Sequence, residues 1–140
     1  MSAKVFVDTN ILIYAHDLDA GDKQVHAARQ LRELWEHGNG MLSVQVLQEF
    51  YANITRKIPQ PLSLAQARGL VQLYTAWDVV ASEASSVILA SELQERHQLS
   101  FWDAMILATA VQGGAEFLLT EDLNHGQIIE GVTIKNPLMH

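Results

Sequence analysis

Four acidic residues in this sequence stand where a carboxylate could take part in chemistry. Asp8 follows the apolar run VFV, Asp103 opens the apolar stretch WDAMILATAV, and Asp122 follows the apolar run FLL by two residues. Glu49 lies within VQVLQEFYANI, on the side opposite its apolar residues. Carboxylate oxygens suit Mg²⁺ or Mn²⁺, and carboxylates that share an apolar cleft repel one another unless a cation holds them. The set predicts a divalent metal site.

Each acid also has a structural interpretation. Asp8 and Asp122 are suited to helix N-caps and turns, and Glu49 fits a solvated helical face. Asp103 stands three residues after Ser100, which is the spacing of a capping box, and the helix dipole favours an acid in the first turn. The metal interpretation requires the four acids to meet in the fold, whereas the structural one does not.

Three further residues are candidates for supporting roles. Thr120 lies two residues before Asp122 and offers a hydroxyl that could orient a ligand or a water. Glu121 could assist Asp122 or replace it. Arg56 lies about 10 Å beyond Glu49 on the same side of a predicted helix, at 1.5 Å per residue, and is a candidate contact for a substrate phosphate.

Strands and helices alternate along the chain and place these residues at the edges of elements. Strands separated by helices indicate an α/β fold with a parallel sheet covered on both faces, in which sites form where strands end. Ser43, Ser63 and Ser100 are predicted N-caps. The sequence predicts strands at 4–7, 41–42, 77–80, 117–119 and 132–134, and helices at 10–16, 22–37, 44–57, 64–74, 83–97 and 101–112.

Composition predicts one domain, residues 1–140, because 140 residues are an ordinary domain length and 49 % of them are hydrophobic. The chain has no cysteine, which excludes disulfides, thiolate zinc sites and a cysteine nucleophile. Its six histidines, which include His140, show neither HxxxH nor HExxH spacing. Glycine-rich phosphate-binding loops and the GxSxG nucleophile motif are also missing.

The net charge of −7 opposes nucleic-acid binding, because phosphate contacts need lysine and arginine. The conflict weakens if several of the acids are bound to a metal. The apolar runs are shorter than the about 20 residues of a membrane span, and no segment is typical of a targeting signal. We expect a cytoplasmic protein that does not insert into a membrane.

Four stretches, VFVDTNILIYAHD, SVQVLQEFYANI, SFWDAMILATA and LLTEDLNHGQ, resemble the PIN domain in the family's order. The chain is most similar to the VapC-type ribonuclease toxins of toxin–antitoxin pairs, and the resemblance covers essentially its whole length. It implies a three-layer α/β/α fold with a central parallel sheet, and an acidic pocket that binds Mg²⁺ or Mn²⁺. The implied activity is metal-dependent hydrolysis of RNA phosphodiester bonds.

The resemblance also assigns roles residue by residue. The matching positions are Asp8, the first acid of the family; Glu49, the acid on the helix after the second strand; Asp103, the acid opening the apolar helix; Asp122, the acid after the fourth strand; Thr120, the hydroxyl residue before it; and Asn10, a polar residue that orients its neighbours.

The chain departs from the common pattern just after Asp122. Many relatives carry a further acid and an aromatic residue there, whereas this sequence has Asn124 and His125. It stays open whether Glu121 or Asp122 is the fourth acid. Asp8 and Asp103, the acids of the first and third motifs, are then the stronger candidates for direct metal ligands.

By this resemblance, the ion would lie between Asp8 and Asp103, with Asp122 and Glu49 reaching it directly or through water. A metal-bound water attacks the scissile phosphate in such a site, and Glu49 could orient or deprotonate that water. The resemblance further implies a homodimer, an RNA substrate and a small antitoxin that covers the active site. DNA stays open as a substrate.

Two other functions compete with the nuclease. A phosphatase-like hydrolase uses an aspartate nucleophile at a strand end, but its usual second aspartate two residues later is replaced here by Asn10. A non-catalytic PIN-like binding module would dock a partner without cleaving RNA. Metal-dependent cleavage distinguishes the nuclease from this module.

Overall fold

A computed structural model describes residues 3–139. The predicted domain includes Met1, Ser2 and His140, which lie outside the described residues. His140 is also one of the six histidines counted in the sequence. Within 3–139, a six-stranded sheet has the order β3-β2-β1-β4-β6-β5, in which β5 is antiparallel to β6 and every other pair is parallel. The strands are β1 (Val5–Val7), β2 (Gly40–Ser43), β3 (Asp78–Val80), β4 (Phe117–Leu119), β5 (Ile128–Ile129) and β6 (Val132–Lys135).

Three helices begin at the serine caps that the sequence predicts. The hydroxyls of Ser43, Ser63 and Ser100 each accept a hydrogen bond from the backbone N–H three residues later, which satisfies one of the free donors of the first turn. No helix within residues 3–139 is both long and apolar enough to cross a membrane. The helices are α1 (Thr9–His16), α2 (Asp22–His37), α3 (Val44–Ile54), α4 (Leu64–Tyr74), α5 (Ala84–His97) and α6 (Phe101–Gln112).

The helices cover both faces of the sheet. The chain moves from β1 outward to β2 and β3 and then returns past β1 to β4. Because crossovers between parallel strands are right-handed, this reversal places α5 and α6 on the face opposite α1 to α4. Accordingly, α1 packs on α2 and α3, whereas α5 packs on α6. The predicted α/β fold, with a central sheet between helices, is confirmed.

The core lies between these layers. Residues 104–110 of α6 are all buried, as expected for a helix that is apolar on nearly every side. In the sheet, Phe6, Leu42 and Leu118 are fully buried. The middle strands are therefore held on both faces, and the residues at their ends occupy well-defined positions.

Helix α3 ends at Ile54, whereas the sequence predicts a helix over 44–57. Thr55 caps the helix: its backbone N–H and its hydroxyl both donate to the carbonyl oxygen of Tyr51, at 3.3 and 2.8 Å. Arg56 consequently lies beyond the helix and not on its polar face.

The sequence did not predict strand β5. Because β5 is antiparallel to β6, the sheet is not wholly parallel as predicted. The strand has two residues, and its connection to β6 consists of Glu130 and Gly131, with φ of 52° and 81°. Two consecutive positive φ values are typical of the tight type I′ hairpin turn. The predicted helices 22–37, 64–74 and 101–112 and the predicted strand 117–119 have the observed bounds.

Candidate functional site

The candidate site lies where the sheet changes direction. Strand β1 pairs with β2 on one side and with β4 on the other, so the order of the strands reverses at β1. Ligands of open α/β sheets bind at such a point, outside the carboxyl ends of the strands. Val7 lies opposite Leu119 in the register, and the Asp8 N–H donates to the Leu119 carbonyl at 2.9 Å. The pairing therefore brings Asp8 beside Thr120.

Asp8 is the most buried acid of the site, with 6 % of its surface exposed. It caps α1, and its Oδ1 accepts the backbone N–H of Thr9 at 2.7 Å. Its Oδ2 accepts the hydroxyl of Thr120 at 2.8 Å. The cap that the sequence allowed for Asp8 is present, and together with the Thr120 contact it fixes the orientation of the carboxylate.

The environment of Asp8 disfavours its charge. Loss of hydration on burial raises the pKa of Asp8 to about 6, although the hydrogen bonds from Thr120 and Thr9 act in the opposite direction. The negative charges of Asp122 and Asp103 raise this pKa further. Above pH 6, Asp8 is thus a buried carboxylate with two like charges nearby, which is unfavourable.

Asp122 is held in the same place by its own contacts. Its backbone N–H donates to the Thr120 hydroxyl at 3.1 Å, and its Oδ2 accepts the side-chain amide of Asn10 at 3.1 Å. Burial raises the pKa of Asp122, and the charges of Asp103 and Glu121 add to that effect. The Thr120 hydroxyl therefore joins two of the predicted acids.

Asp103 comes from a distant part of the sequence and completes the group. It occupies the first turn of α6, and its backbone N–H donates to the Ser100 hydroxyl at 3.1 Å. Among the hydrogen bonds of residues 3–139, none involves the Asp103 carboxylate, so the capping box is only half formed. That carboxylate is close enough to Asp8 and Asp122 to raise the pKa of both.

Glu49 and Arg56 are less closely connected to this group. Glu49 is exposed on α3, and its Oε1 accepts the side-chain amide of Gln45 at 2.8 Å. It is not among the charges that shift the pKa of Asp8. Arg56 is exposed and has no ion-pair partner in the described part of the chain. The roles of both residues stay predictions.

Glu121 is engaged in a separate network that the sequence did not indicate. The Tyr14 hydroxyl donates to Glu121 Oε1 at 2.5 Å, and Lys23 Nζ lies 3.3 Å from Oε2. The Lys23 ammonium also lies 4.8 Å from the centroid of the Tyr14 ring. Tyr14 and Asn10 are four residues apart on α1, so they lie on the same face of that helix. This spacing was the one signal in the sequence that both side chains could contact the segment after β4.

The position where the sequence departs from the family pattern has a structural role. His125 Nδ1 accepts the backbone N–H of Asn136 at 3.0 Å. This hydrogen bond joins the segment after Asp122 to the residue that follows β6. It supplies no acid to the site.

The donor chemistry of the group fits a hard divalent cation. Asp8, Asp103 and Asp122 offer carboxylate oxygens, the ligands that Mg²⁺ and Mn²⁺ prefer. Burial raises the pKa of Asp8 and of Asp122, and the charges of neighbouring acids add to that effect. Within residues 3–139, however, no three His, Cys, Asp or Glu side chains are near enough together to hold an ion in their present positions. A bound ion would therefore require small side-chain movements.

Solved structures share this fold. A toxin–antitoxin complex from Klebsiella pneumoniae is 23 % identical, with a TM-score of 0.70 over 96 % of this chain and 98 % of that one. The DNA-bound VapBC of Salmonella typhimurium is 18 % identical, with a TM-score of 0.66 over 97 % and 99 %. Mycobacterium tuberculosis VapC20, described as a toxin that cleaves the sarcin–ricin loop, is 23 % identical, with a TM-score of 0.64 over 82 % and 87 %. No curated protein sequence matches significantly.

At these identities, the likeness to solved structures shows the fold of the VapC toxins. The family itself is shown by a match in sequence, because the model of the PIN domain matches residues 5–129. That range contains Asp8, Asp103 and Asp122 together with the strands and helices that bring them to one edge of the sheet. The chain therefore belongs to the PIN domain family.

Proposed function

We propose that this protein is an endoribonuclease dependent on Mg²⁺ or Mn²⁺ and the toxin of a VapBC-type pair. The observation that carries the proposal is the electrostatic contact among Asp8, Asp103 and Asp122. These residues come from three separate elements, and their charges are near enough to influence one another. Structural roles such as capping do not require that proximity.

A divalent cation accounts for this arrangement. Two or three carboxylates near one another destabilise a fold unless a positive charge offsets them. Asp8, Asp103 and Asp122 would hold the ion, and Glu49 is a further candidate ligand. When bound, such an ion lowers the pKa of a coordinated water and stabilises charge on a phosphate.

The residues around the acids orient them for this role. Thr9 and Thr120 donate to the two oxygens of Asp8, and Thr120 also accepts the Asp122 N–H. Asn10 donates to Asp122, so the amide directs that carboxylate. Groups that fix metal ligands in this way affect metal affinity strongly in other proteins. Thr120 and Asn10 are therefore positioning residues in our proposal.

Glu49 and Arg56 are proposed to act on water and on the substrate. Glu49 is an exposed carboxylate on the helix that follows β2, where it can accept a proton from a water molecule. Arg56 is an exposed guanidinium without an ion pair in residues 3–139, so it is available to a phosphate of the RNA backbone.

The proposed substrate is RNA, and the proposed partner is a small antitoxin. The PIN fold of this chain matches a toxin described as cleaving the sarcin–ricin loop and toxins solved with their antitoxins. We further propose one domain over residues 1–140, a homodimer, and action in the cytoplasm. The negative net charge of −7 suggests selection by RNA shape rather than by general attraction to phosphate.

A phosphatase-like mechanism with Asp8 as nucleophile fits less well. Both oxygens of Asp8 accept hydrogen bonds and the side chain is buried, so attack on a phosphorus atom is hindered. At the position where such enzymes usually carry a second aspartate, Asn10 is bound to Asp122.

The test is cleavage of total RNA by purified protein with Mg²⁺ or Mn²⁺ and with EDTA. We expect cleavage only with the cation. Asp8→Asn and Asp103→Asn should abolish cleavage while circular dichroism stays unchanged, and the exposed Asp19→Asn variant is the matched control. Cleavage in EDTA, or full activity of pure Asp103→Asn protein, would contradict the proposal. A folded protein that cleaves no RNA under either condition favours the binding module.

A further inference from the structure

Trp102 is an exposed tryptophan next to the candidate site. Its side chain is 66 % exposed, whereas Trp77 is 8 % exposed, and Trp35, which is 42 % exposed, packs against Tyr74 and Trp77. Tryptophan is highly buried on average in folded proteins. At Trp102, a large flat side chain instead faces solvent.

The position of Trp102 connects it to the acids. It is the second residue of α6 and precedes Asp103, so the two Cα atoms are about 3.8 Å apart. The Phe101 ring packs against the indole in an edge-on arrangement, with centroids 5.2 Å apart and planes at 73°. This contact restricts the indole, and an exposed aromatic surface is thereby held in the first turn of α6, one residue from Asp103.

We propose that Trp102 is a stacking site for one unpaired nucleobase of the RNA substrate. The inference rests on the proposed ribonuclease function. Sequence-specific recognition of RNA uses unpaired bases that stack on aromatic side chains. A phosphate near Asp103 and a base on the adjacent indole would belong to neighbouring parts of one strand, so stacking would position that strand at the acids.

The charge of the protein makes such a contact valuable. With 9 lysines and arginines against 16 acids, the chain has little capacity to bind phosphates by charge alone. Stacking on an aromatic ring requires no positive charge, and it accepts any base because every base has a flat face. Trp102 thus supplies affinity of a kind that the composition otherwise lacks.

The experiment measures cleavage kinetics of wild-type protein and Trp102 variants on a fluorescent single-stranded RNA oligonucleotide in Mn²⁺. Removing a stacking side chain costs about 1–3 kcal/mol per base, which is about a 5- to 150-fold change. We expect Trp102→Ala to lower kcat/KM by that factor, mainly through KM. Trp102→Phe should keep most of the activity, and Trp102→Leu should resemble Trp102→Ala. The control Ile88→Ala removes a side chain that is 63 % exposed on α5 and should have no effect.

A second arm uses oligonucleotides that each lack one base but keep the sugar and phosphate. We expect the effect of Trp102→Ala to vanish for one position of the missing base. Equal activity of Trp102→Leu and Trp102→Phe would overturn the inference, since apolar area alone would then suffice. An effect of Trp102→Ala that persists on every abasic oligonucleotide would also overturn it. A changed oligomeric state of Trp102→Ala in light scattering would overturn it too, because the indole would then belong to a protein interface.

The two hypotheses fail in distinguishable ways. If the wild type cleaves and Trp102→Ala cleaves equally well, only the stacking inference is refuted. If the wild type cleaves no RNA in Mn²⁺, the proposed function is refuted, and the stacking inference is refuted with it.

Discussion

Replacing Asp8 by asparagine should stabilise the metal-free protein at alkaline pH and not at acidic pH. Asparagine has nearly the same shape but no charge, so the substitution removes the unfavourable burial of a carboxylate. Because loss of hydration raises the pKa of Asp8 to about 6, the folded protein holds this proton more tightly than the unfolded chain does. Folding therefore becomes less favourable as pH rises between the unfolded and folded pKa values.

The magnitude follows from the two pKa values. The ordinary value is 3.8 and the folded value is about 6, and each pKa unit corresponds to about 1.4 kcal/mol, so the ionised side chain destabilises the fold by about 3 kcal/mol above pH 6. The substitution also disturbs one hydrogen bond, because the Thr120 hydroxyl donates to a carboxylate oxygen and must turn to accept from the new amide. That loss is about 1 kcal/mol. The expected net gain is about 2 kcal/mol at high pH.

The assay is urea unfolding of wild-type and Asp8→Asn protein in EDTA at several pH values. Near pH 8 the variant should have the larger free energy of unfolding, by about 2 kcal/mol. Near pH 3.5 the order should reverse, with the variant about 1 kcal/mol less stable, because wild-type Asp8 is then protonated. The exposed Asp19→Asn variant serves as the control, and its difference from the wild type should depend little on pH.

A second measurement repeats the pH 8 experiment with Mn²⁺. Ligands that bind only the folded state raise its stability, so the wild type should gain more than the variant. The reasoning is refuted if Asp8→Asn is no more stable than wild type at high pH, or if the difference between them is the same at every pH.

Three further outcomes are expected. Glu121→Gln should keep most of the RNA cleavage while Asp122→Asn loses it, because the Glu121 carboxylate is already bound by other side chains; rates on one oligonucleotide check this. Thr120→Val should lower the free energy of unfolding by about 1–3 kcal/mol above pH 6, where the lost hydrogen bond is to ionised Asp8, and weaken Mn²⁺ binding in calorimetry, whereas Thr120→Ser should restore both. Gly40→Ala should destabilise by at least about 1–3 kcal/mol in urea unfolding, since a Cβ there would lie 2.5 Å from the Trp77 ring.

Controls make these outcomes decisive. Reversed activities of the Glu121 and Asp122 variants would make Glu121 the fourth acid. Equal Mn²⁺ affinities of the Val and Ser variants at Thr120 would show that the hydroxyl does not matter. For Gly40, the control is Gly69→Ala, because a Cβ at Gly69 meets no atom within 4 Å.

The features that the sequence predicted well are local. Ser43, Ser63 and Ser100 act within one turn of the chain, and a hydroxyl before an apolar helical pattern suffices to predict a cap. The bounds of α2 follow from its periodicity and from Gly38 after it, and those of α6 from the Ser100 cap and from Gly113 after it. Helix α3 was predicted too long because no glycine or proline marks its end at Thr55.

Features that depend on distant pairing could be predicted only in outline. Asp8 and Thr120 are 112 residues apart, and their contact exists because β1 pairs with β4 in one register. Residue patterns predicted that strand ends would meet, but not which oxygen of Asp8 receives which donor. The contacts of Tyr14 on α1 and Lys23 on α2 with Glu121 depend on how the two helices pack against the segment after β4, which helical spacing alone does not specify.

The same burial that destabilises the metal-free fold favours the binding of a cation. Asp8 follows Phe6 and Val7, which are fully buried, and precedes a helix whose Ile11 and Leu12 are fully buried. Backbone held this firmly cannot carry the carboxylate into water, so its charge stays poorly hydrated. A cation that enters the site replaces the missing hydration, and its affinity contains the free energy by which burial had disfavoured the charge. A more exposed aspartate would make the protein more stable without metal and would bind the metal less tightly.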